Sequence, residues 1–215
     1  MIDFYAYTTP NVFKVSIMLE EAELPYRIHI VDINTREQWT PEFEAISPNH
    51  KVPAIVDRDG LGGGEVSVFE SGAILLYLAE KSGRFVPKDA RGRYEVIEWL
   101  MYQMSTVGPM LGQSHHFRRF ATEKVPYAID RYDKEVARVY AVLEKRLAAS
   151  EYLAGSEYSV ADMATYPWIR GHEWHAVDLA AHPSVKRWYE EVGRRPAVQA
   201  GIKKTEEANA ARSLG

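Results

Sequence analysis

The chain has 215 residues, a net charge of −4 with acidic and basic side chains interspersed, and no cysteine. That length holds one large domain or two small ones with real cores, and the charge balance excludes the basic stripe of a nucleic-acid-binding protein. The lack of cysteine excludes structural disulfides, thiolate metal sites, a Cys nucleophile and a Cys-x-x-Cys redox pair.

In chain order, Met1-Ile2-Asp3-Phe4 shows no basic start or apolar core of a secretory signal, so a cytoplasmic protein is expected. Ile2, Phe4 and Ala6 alternate with Asp3, Tyr5 and Tyr7, the period-two pattern of a strand. Pro10 suits the first turn of a helix, where its missing N–H costs nothing; Val15, Met18, Leu19 and Ala22 follow at helical spacing. A second strand is predicted over Tyr26–Ile33, and helical signals are weak from Gln38 to Ile46. Val52–Asp57 and Val66–Phe69 predict a hairpin around a loop marked by Asp59-Gly60 and Gly62-Gly63-Gly64. A helix over Ser71–Lys81 then ends at Gly83. This β-α-β then β-β-α order implies a thioredoxin-like unit, a mixed sheet between helices.

From Arg91 the strand signals stop. Tyr94, Ile97, Leu100, Met101 and Met104 predict an amphipathic helix interrupted near Gly108-Pro109. A long helix follows over Pro126–Ala149, Ser159-Val160-Ala161-Asp162 forms a capping box, and Pro183 opens a last helix through Val185, Trp188, Tyr189 and Val192. The expected organisation is α+β: a thioredoxin-like domain over residues 1–84, a linker around Phe85–Gly92, an all-helical domain over residues 91–203, and a flexible tail over residues 204–215. No segment is long and apolar enough to span a membrane.

Chemistry concentrates in Ser47-Pro48-Asn49-His50-Lys51-Val52-Pro53 and in Phe69-Glu70-Ser71-Gly72. The ring of Pro53 pushes Val52 extended. A cis Val52-Pro53 bond would turn the backbone N–H and C=O of Val52 outward to pair with an extended peptide. Ser71 stands where a helix begins, so its hydroxyl and the nearby free N–H groups favour a carboxylate. A backbone clamp beside a carboxylate pocket describes a site for a small acidic peptide.

These stretches resemble the glutathione site of the glutathione S-transferase superfamily. Within it, Tyr7-Thr8-Thr9-Pro10-Asn11 and Gly108-Pro109-Met110-Leu111-Gly112-Gln113 look like the bacterial nu class, whose members resemble disulfide-bond reductases. The resemblance covers about residues 1–203 and implies an N-terminal thioredoxin-like domain, a C-terminal all-helical glutathione-transferase domain, a homodimer and an active site in the cleft between domains. By motif, Val52 and Pro53 form the backbone clamp. Glu70 meets the γ-glutamyl ammonium and Ser71 its carboxylate, Lys51 or His50 meets the glycine carboxylate, and Gln38 lines that end. Arg131 is placed near the carboxylates of a second glutathione, although an exposed arginine paired with Asp130 or Glu135 reads equally well.

A free thiol of this kind has a pKa of roughly 8.5, and lowering it by about two units takes roughly 2.7 kcal/mol of preferential anion stabilisation. A helix N-terminus and one or two donors supply an effect of that order. Asn11 is the expected principal thiol partner and Thr9 the second donor; both residue types also cap helices routinely. Tyr5 and Tyr7 are read as packing. His172-Glu173-Trp174-His175 has histidines three apart where a zinc-protease helix needs four, and His115-His116 lacks further ligands at metal spacing, so no metal is expected. The glycine-rich loop Gly60–Gly64 lacks the Lys-Ser/Thr of a phosphate loop.

The expected function is a glutathione-dependent disulfide-bond reductase, with glutathione or its disulfide and a small disulfide as partners and no nucleic acid or membrane. One alternative is a glutathione transferase or peroxidase acting on electrophiles or hydroperoxides. The other is a non-catalytic binding protein of the same fold, since fold alone does not establish activity.

Overall fold

A computed structural model describes residues 1–213, and the chain divides into two compact units. One comprises Met1–Val86 together with the chain from Arg195 onward; the other is Pro87–Arg194.

The first unit is built on a four-stranded mixed sheet in the order β2-β1-β3-β4, from β1 (Ile2–Ala6), β2 (Tyr26–Ile30), β3 (Ala54–Asp57) and β4 (Val66–Phe69). β1 runs parallel to β2, with Ile2 opposite Tyr26, and antiparallel to β3; β3 and β4 form the hairpin. The period-two pattern of β1 is realised, with Ile2, Phe4 and Ala6 buried. β3 is central and buried at all four positions, including Asp57. That carboxylate accepts from the Tyr77 hydroxyl at 2.7 Å and pairs with Lys81 at 2.9 Å. Burial alone would raise its pKa, but Lys81 and Tyr77 hold it below the ordinary value. Both partners lie on α3 (Ser71–Ser82), so this contact pins the helix that follows β4 to the sheet.

α1 (Pro10–Glu21) starts at Thr9, which caps it, with Pro10 in the first turn. Between β2 and β3 the chain makes a 3₁₀ turn, Glu37–Trp39, and a short helix α2 (Pro41–Glu44). β2 ends at Ile30, earlier than its apolar run suggests, because Asp32–Thr35 turns through hydrogen bonds of the Asp32 side chain and carbonyl.

The C-terminal segment departs from expectation. Residues 204–215 read as a flexible tail, yet α9 spans Pro196–Ser213 and packs on α1 in the first unit; the last two residues of that tail lie outside the described residues. Gly201 permits the approach: a Cβ there would lie 2.7 Å from the Ser16 carbonyl oxygen. Arg195 forks onto Glu21 at 2.6 and 2.9 Å, Lys204 pairs with Glu20 at 2.7 Å, and Arg212 donates to the Ile30 carbonyl at 2.6 Å. The Ala-rich composition has high helix propensity, and a close backbone contact replaces the broad apolar stripe a sequence reading looks for.

The second unit is helical: α4 (Ala90–Tyr102), α5 (Gly108–His115), α6 (Pro126–Ala149), α7 (Val160–Ile169) and α8 (Pro183–Gly193). The predicted interruption near Gly108-Pro109 is a π-helical turn over Gln103–Val107, closed by the Gly108 N–H on the Gln103 carbonyl. α6 buries Val136, Val139, Tyr140, Leu143 and Leu147 on one face. Ser159 and Asp162 form the capping box of α7; Asp162, fully buried, also accepts from Leu153 N at 3.0 Å and Trp188 Nε1 at 2.8 Å. Among the described residues no helix is long and apolar enough to cross a membrane.

Candidate active site

Three segments of the first unit converge on a cavity of about 250 Å³: the first turn of α1 with Asn11, the turn Ser47–Pro53 leading into β3, and Phe69–Ser71 between β4 and α3. The turn into β3 is internally tied. The Ser47 hydroxyl, buried, donates to the Lys51 carbonyl at 2.8 Å, and the His50 N–H donates to the Ser47 carbonyl at 2.8 Å. The Val52–Pro53 bond is cis, and Val52 lines the cavity.

Glu70 occupies the position before α3 with φ 68° and ψ 117°, outside the regions a side chain ordinarily adopts. Such a conformation costs about 1–3 kcal/mol and concentrates at ligand clamps. It leaves Glu70 exposed beside Ser71, whose side chain is buried at the start of the helix. The cavity therefore sets a carboxylate next to a helix N-terminus, an arrangement that suits a ligand with adjacent ammonium and carboxylate groups.

Asn11, Lys51, Val52, Pro53, Glu70 and Ser71 all line this cavity. Thr9 does not line it; its Oγ1 accepts from the Val12 N–H at 3.3 Å, which still leaves the hydroxyl its own O–H to donate. Gln38 and His50 stand to one side. His50 Nδ1 lies 3.0 Å from the Gln38 carbonyl, which it reaches as a donor, and the His50 ring stacks on Trp39 with centroids 4.1 Å apart. His50 is thereby tied to the Glu37–Trp39 segment, and Lys51 is the basic residue of the pair that lines the cavity. Arg131 lies in the other unit, exposed on α6; Asp130 pairs with Lys134 and Glu135 with Arg138. Tyr5 stacks on His29 and packs against Phe43, and the Tyr7 hydroxyl accepts from Asn34 at 2.6 Å. Burial and the Asp32 charge raise the Tyr7 pKa.

One residue at the site escaped the sequence reading. Lys14 is 1 % exposed, and its Nζ lies 3.3 Å from Ser71 Oγ. Burial depresses its pKa to about 7, against the opposing field of Glu70. The signal was a single lysine inside the otherwise mostly apolar run Val12–Leu19. The histidines form no metal site: His115 and His175 are buried and stacked 4.4 Å apart, and no group of three or more metal-ligating side chains exists among the described residues.

Comparison with known proteins agrees with this geometry. Residues 8–81 match the glutathione S-transferase N-terminal domain and residues 101–196 its C-terminal domain. The disulfide-bond oxidoreductase YfcG of Escherichia coli K12 is 49 % identical over 207 residues, covering 96 % of each chain. Its relative YghU is 40 % identical over 93 % of this chain and 73 % of its own length. A glutathione transferase family member from Pseudomonas fluorescens, solved with two glutathiones bound, superposes with a TM-score of 0.89 at 44 % identity, covering 94 % of this chain and 92 % of its own. A glutathione transferase from Pseudomonas putida, with one glutathione disulfide per subunit, gives 0.89 at 42 % identity over 94 % and 90 %. Fold, cavity and kinship lead to one assignment: the chain belongs to the glutathione S-transferase family.

Proposed function

We propose that the protein is a glutathione-dependent disulfide-bond reductase. The observation that carries this reading is the convergence of Asn11, Val52, Glu70 and Ser71 on one cavity in a chain with no cysteine. Any thiol–disulfide chemistry here must take its sulfur from the ligand. Glu70 pairs with the γ-glutamyl ammonium and Ser71, with the α3 N-terminus, takes the adjacent carboxylate. The Val52 main chain pairs with the cysteinyl residue, Lys51 meets the glycine carboxylate, and Gln38 and His50 brace that end. Asn11 donates its amide N–H to the thiolate, with the Thr9 hydroxyl as a second donor.

The reaction balances without a protein thiol. The thiolate of one bound glutathione attacks a sulfur of the substrate disulfide, forming a mixed disulfide and expelling a substrate thiolate. A second glutathione thiolate attacks the glutathione sulfur of that mixed disulfide, releasing the other substrate thiol and leaving glutathione disulfide. The relatives solved with two glutathiones or with glutathione disulfide hold the partners such a cycle needs. Arg131 is assigned to the carboxylates of the second glutathione, and the working state to a homodimer.

The test compares two substrates in one preparation. Reduction of hydroxyethyl disulfide, coupled to glutathione reductase and NADPH, is run beside conjugation of chlorodinitrobenzene. Disulfide turnover well above conjugation is expected. Fast conjugation with negligible disulfide turnover would assign the site to electrophiles instead, and binding without turnover of either would assign it a binding role.

A further inference from the structure

A continuous series of contacts joins α9 to the end of the cavity where Lys51 stands. Arg212 on α9 donates to the Ile30 carbonyl at 2.6 Å and, through its other terminal nitrogen, pairs with Glu37. Glu37 accepts from the Asp32 N–H at 2.8 Å with its second carboxylate oxygen and opens the 3₁₀ turn Glu37–Trp39. That turn carries both groups that hold His50: the Gln38 carbonyl, 3.0 Å from Nδ1, and the Trp39 ring, stacked at 4.1 Å. His50 directly precedes Lys51 and Val52, which line the cavity. We propose that Arg212 is a positioning residue for the glycine end of the glutathione site: it fixes the Glu37–Trp39 turn against β2, and the turn, through His50, sets the Lys51–Val52 segment that meets the ligand's glycine. This role rests on the reading of the cavity as a glutathione site.

The segment between β2 and β3 needs such a brace. Arg36, just before the turn, has φ 67°, and His50, after it, has φ 52°; both stand in the left-handed region that residues other than glycine rarely adopt. A residue keeps that conformation only where its surroundings impose it. For His50 the surroundings are the Trp39 ring and the Gln38 carbonyl, and for the turn that bears them they are Glu37 and Arg212. Arginine suits the task, because its rigid fork reaches a main-chain carbonyl and a carboxylate at once. Arg212 is itself delivered from a fixed helix. Asn209, one turn earlier on the same face, bonds the Tyr7 hydroxyl just past β1, and Gly201 lets the helix rest on α1. An ion pair as exposed as Arg212–Glu37 adds little to global stability. Its effect belongs instead to the geometry of the turn, and so to the one part of the ligand that the turn governs.

The experiment is calorimetry with glutathione and with γ-glutamylcysteine, which lacks the glycine, on wild type, Arg212→Ala, Glu37→Gln and the double variant, beside their melting temperatures. Wild type should prefer glutathione. Arg212→Ala should bind glutathione about three- to tenfold more weakly, the range of a lost hydrogen bond, yet bind γ-glutamylcysteine as wild type does and melt at the same temperature. Glu37→Gln should show the same selective loss, and the double variant should lose no more than Arg212→Ala, since both changes break one link. Equal weakening toward both ligands, unchanged affinity of Arg212→Ala for glutathione, or a wild type that binds both ligands equally overturns the inference while leaving a γ-glutamyl site in place. No binding of glutathione by wild type overturns the underlying reading as well. Should Arg212→Ala not fold, the same comparison on Glu37→Gln decides.

Discussion

The hydroxyl of Ser47 donates to the carbonyl of Lys51 at 2.8 Å, and this bond closes the turn that delivers Val52 to the cavity. Ser47 is itself buried, whereas Lys51 is exposed, so solvent replaces only part of the bond when it is lost. Ser47→Ala should lower stability by about 1 kcal/mol, the net worth of an ordinary hydrogen bond. It should also weaken glutathione binding, because the backbone of Val52 is no longer held in register. Urea unfolding and calorimetry on one variant check both.

Glu70 couples strain to recognition. Its φ of 68° suits glycine, so Glu70→Gly should stabilise the fold by about 1 kcal/mol. The same change removes the carboxylate assigned to the ligand ammonium, so affinity for glutathione should fall at least about tenfold. Glu70→Gln should lose affinity without the gain in stability. If Glu70→Gly gains stability and keeps its affinity, Glu70 carries no ligand charge.

Lys14 ties stability to pH through its burial. With a folded pKa of about 7 against 10.5 in the unfolded chain, the unfolded state holds more protons between those values, so stability rises with pH across that window. Lys14→Met replaces a buried cation by an apolar chain of similar length and should stabilise the protein by about 1–4 kcal/mol at and below pH 7. The gain should shrink toward pH 10. A variant destabilised at pH 6 would show that the contacts of the ammonium outweigh the cost of burying it.

His175 governs an acid limit in the second unit. It is buried, with its Nδ1 3.2 Å from the Tyr140 hydroxyl, and burial, with the neighbouring His115, His172 and Arg118, pushes its pKa down to about 3. Between pH 6.5 and that value the unfolded chain takes up a proton that the folded chain refuses. Stability therefore falls as pH drops, by up to about 1.4 kcal/mol per pH unit. His175→Phe should flatten that slope, read as urea midpoints at successive pH values.

The framework of the fold was legible because its signals are local. The alternation of Ile2, Phe4 and Ala6, the stripe of α6, the Ser159–Asp162 box and the Gly83 stop are each set within a few residues. So was the cavity, since Asn11, Val52, Glu70 and Ser71 stand in motifs whose chemistry points to a peptide ligand. What escaped depends on distant partners. α9 is held by Gly201 against Ser16 and by Arg195 on Glu21, contacts that span nearly the whole chain. Lys14 meets Ser71 across 57 positions, and nothing local reveals that a lysine in α1 stands behind the first residue of α3. The ties of His50 are likewise invisible locally: its ring stacks on Trp39 and its Nδ1 meets the Gln38 carbonyl, twelve positions away.

If Asn11 and Thr9 hold the reacting sulfur, the bound thiol must ionise more readily than the free one. Glutathione bound to wild type is titrated by its ultraviolet thiolate absorbance, beside Asn11→Ala and Thr9→Ala. The bound thiol should have a pKa about two units below the free value of roughly 8.5, moved back toward it by Asn11→Ala and less so by Thr9→Ala. A bound thiol that titrates like the free one, or a lowered pKa indifferent to Asn11, would contradict it.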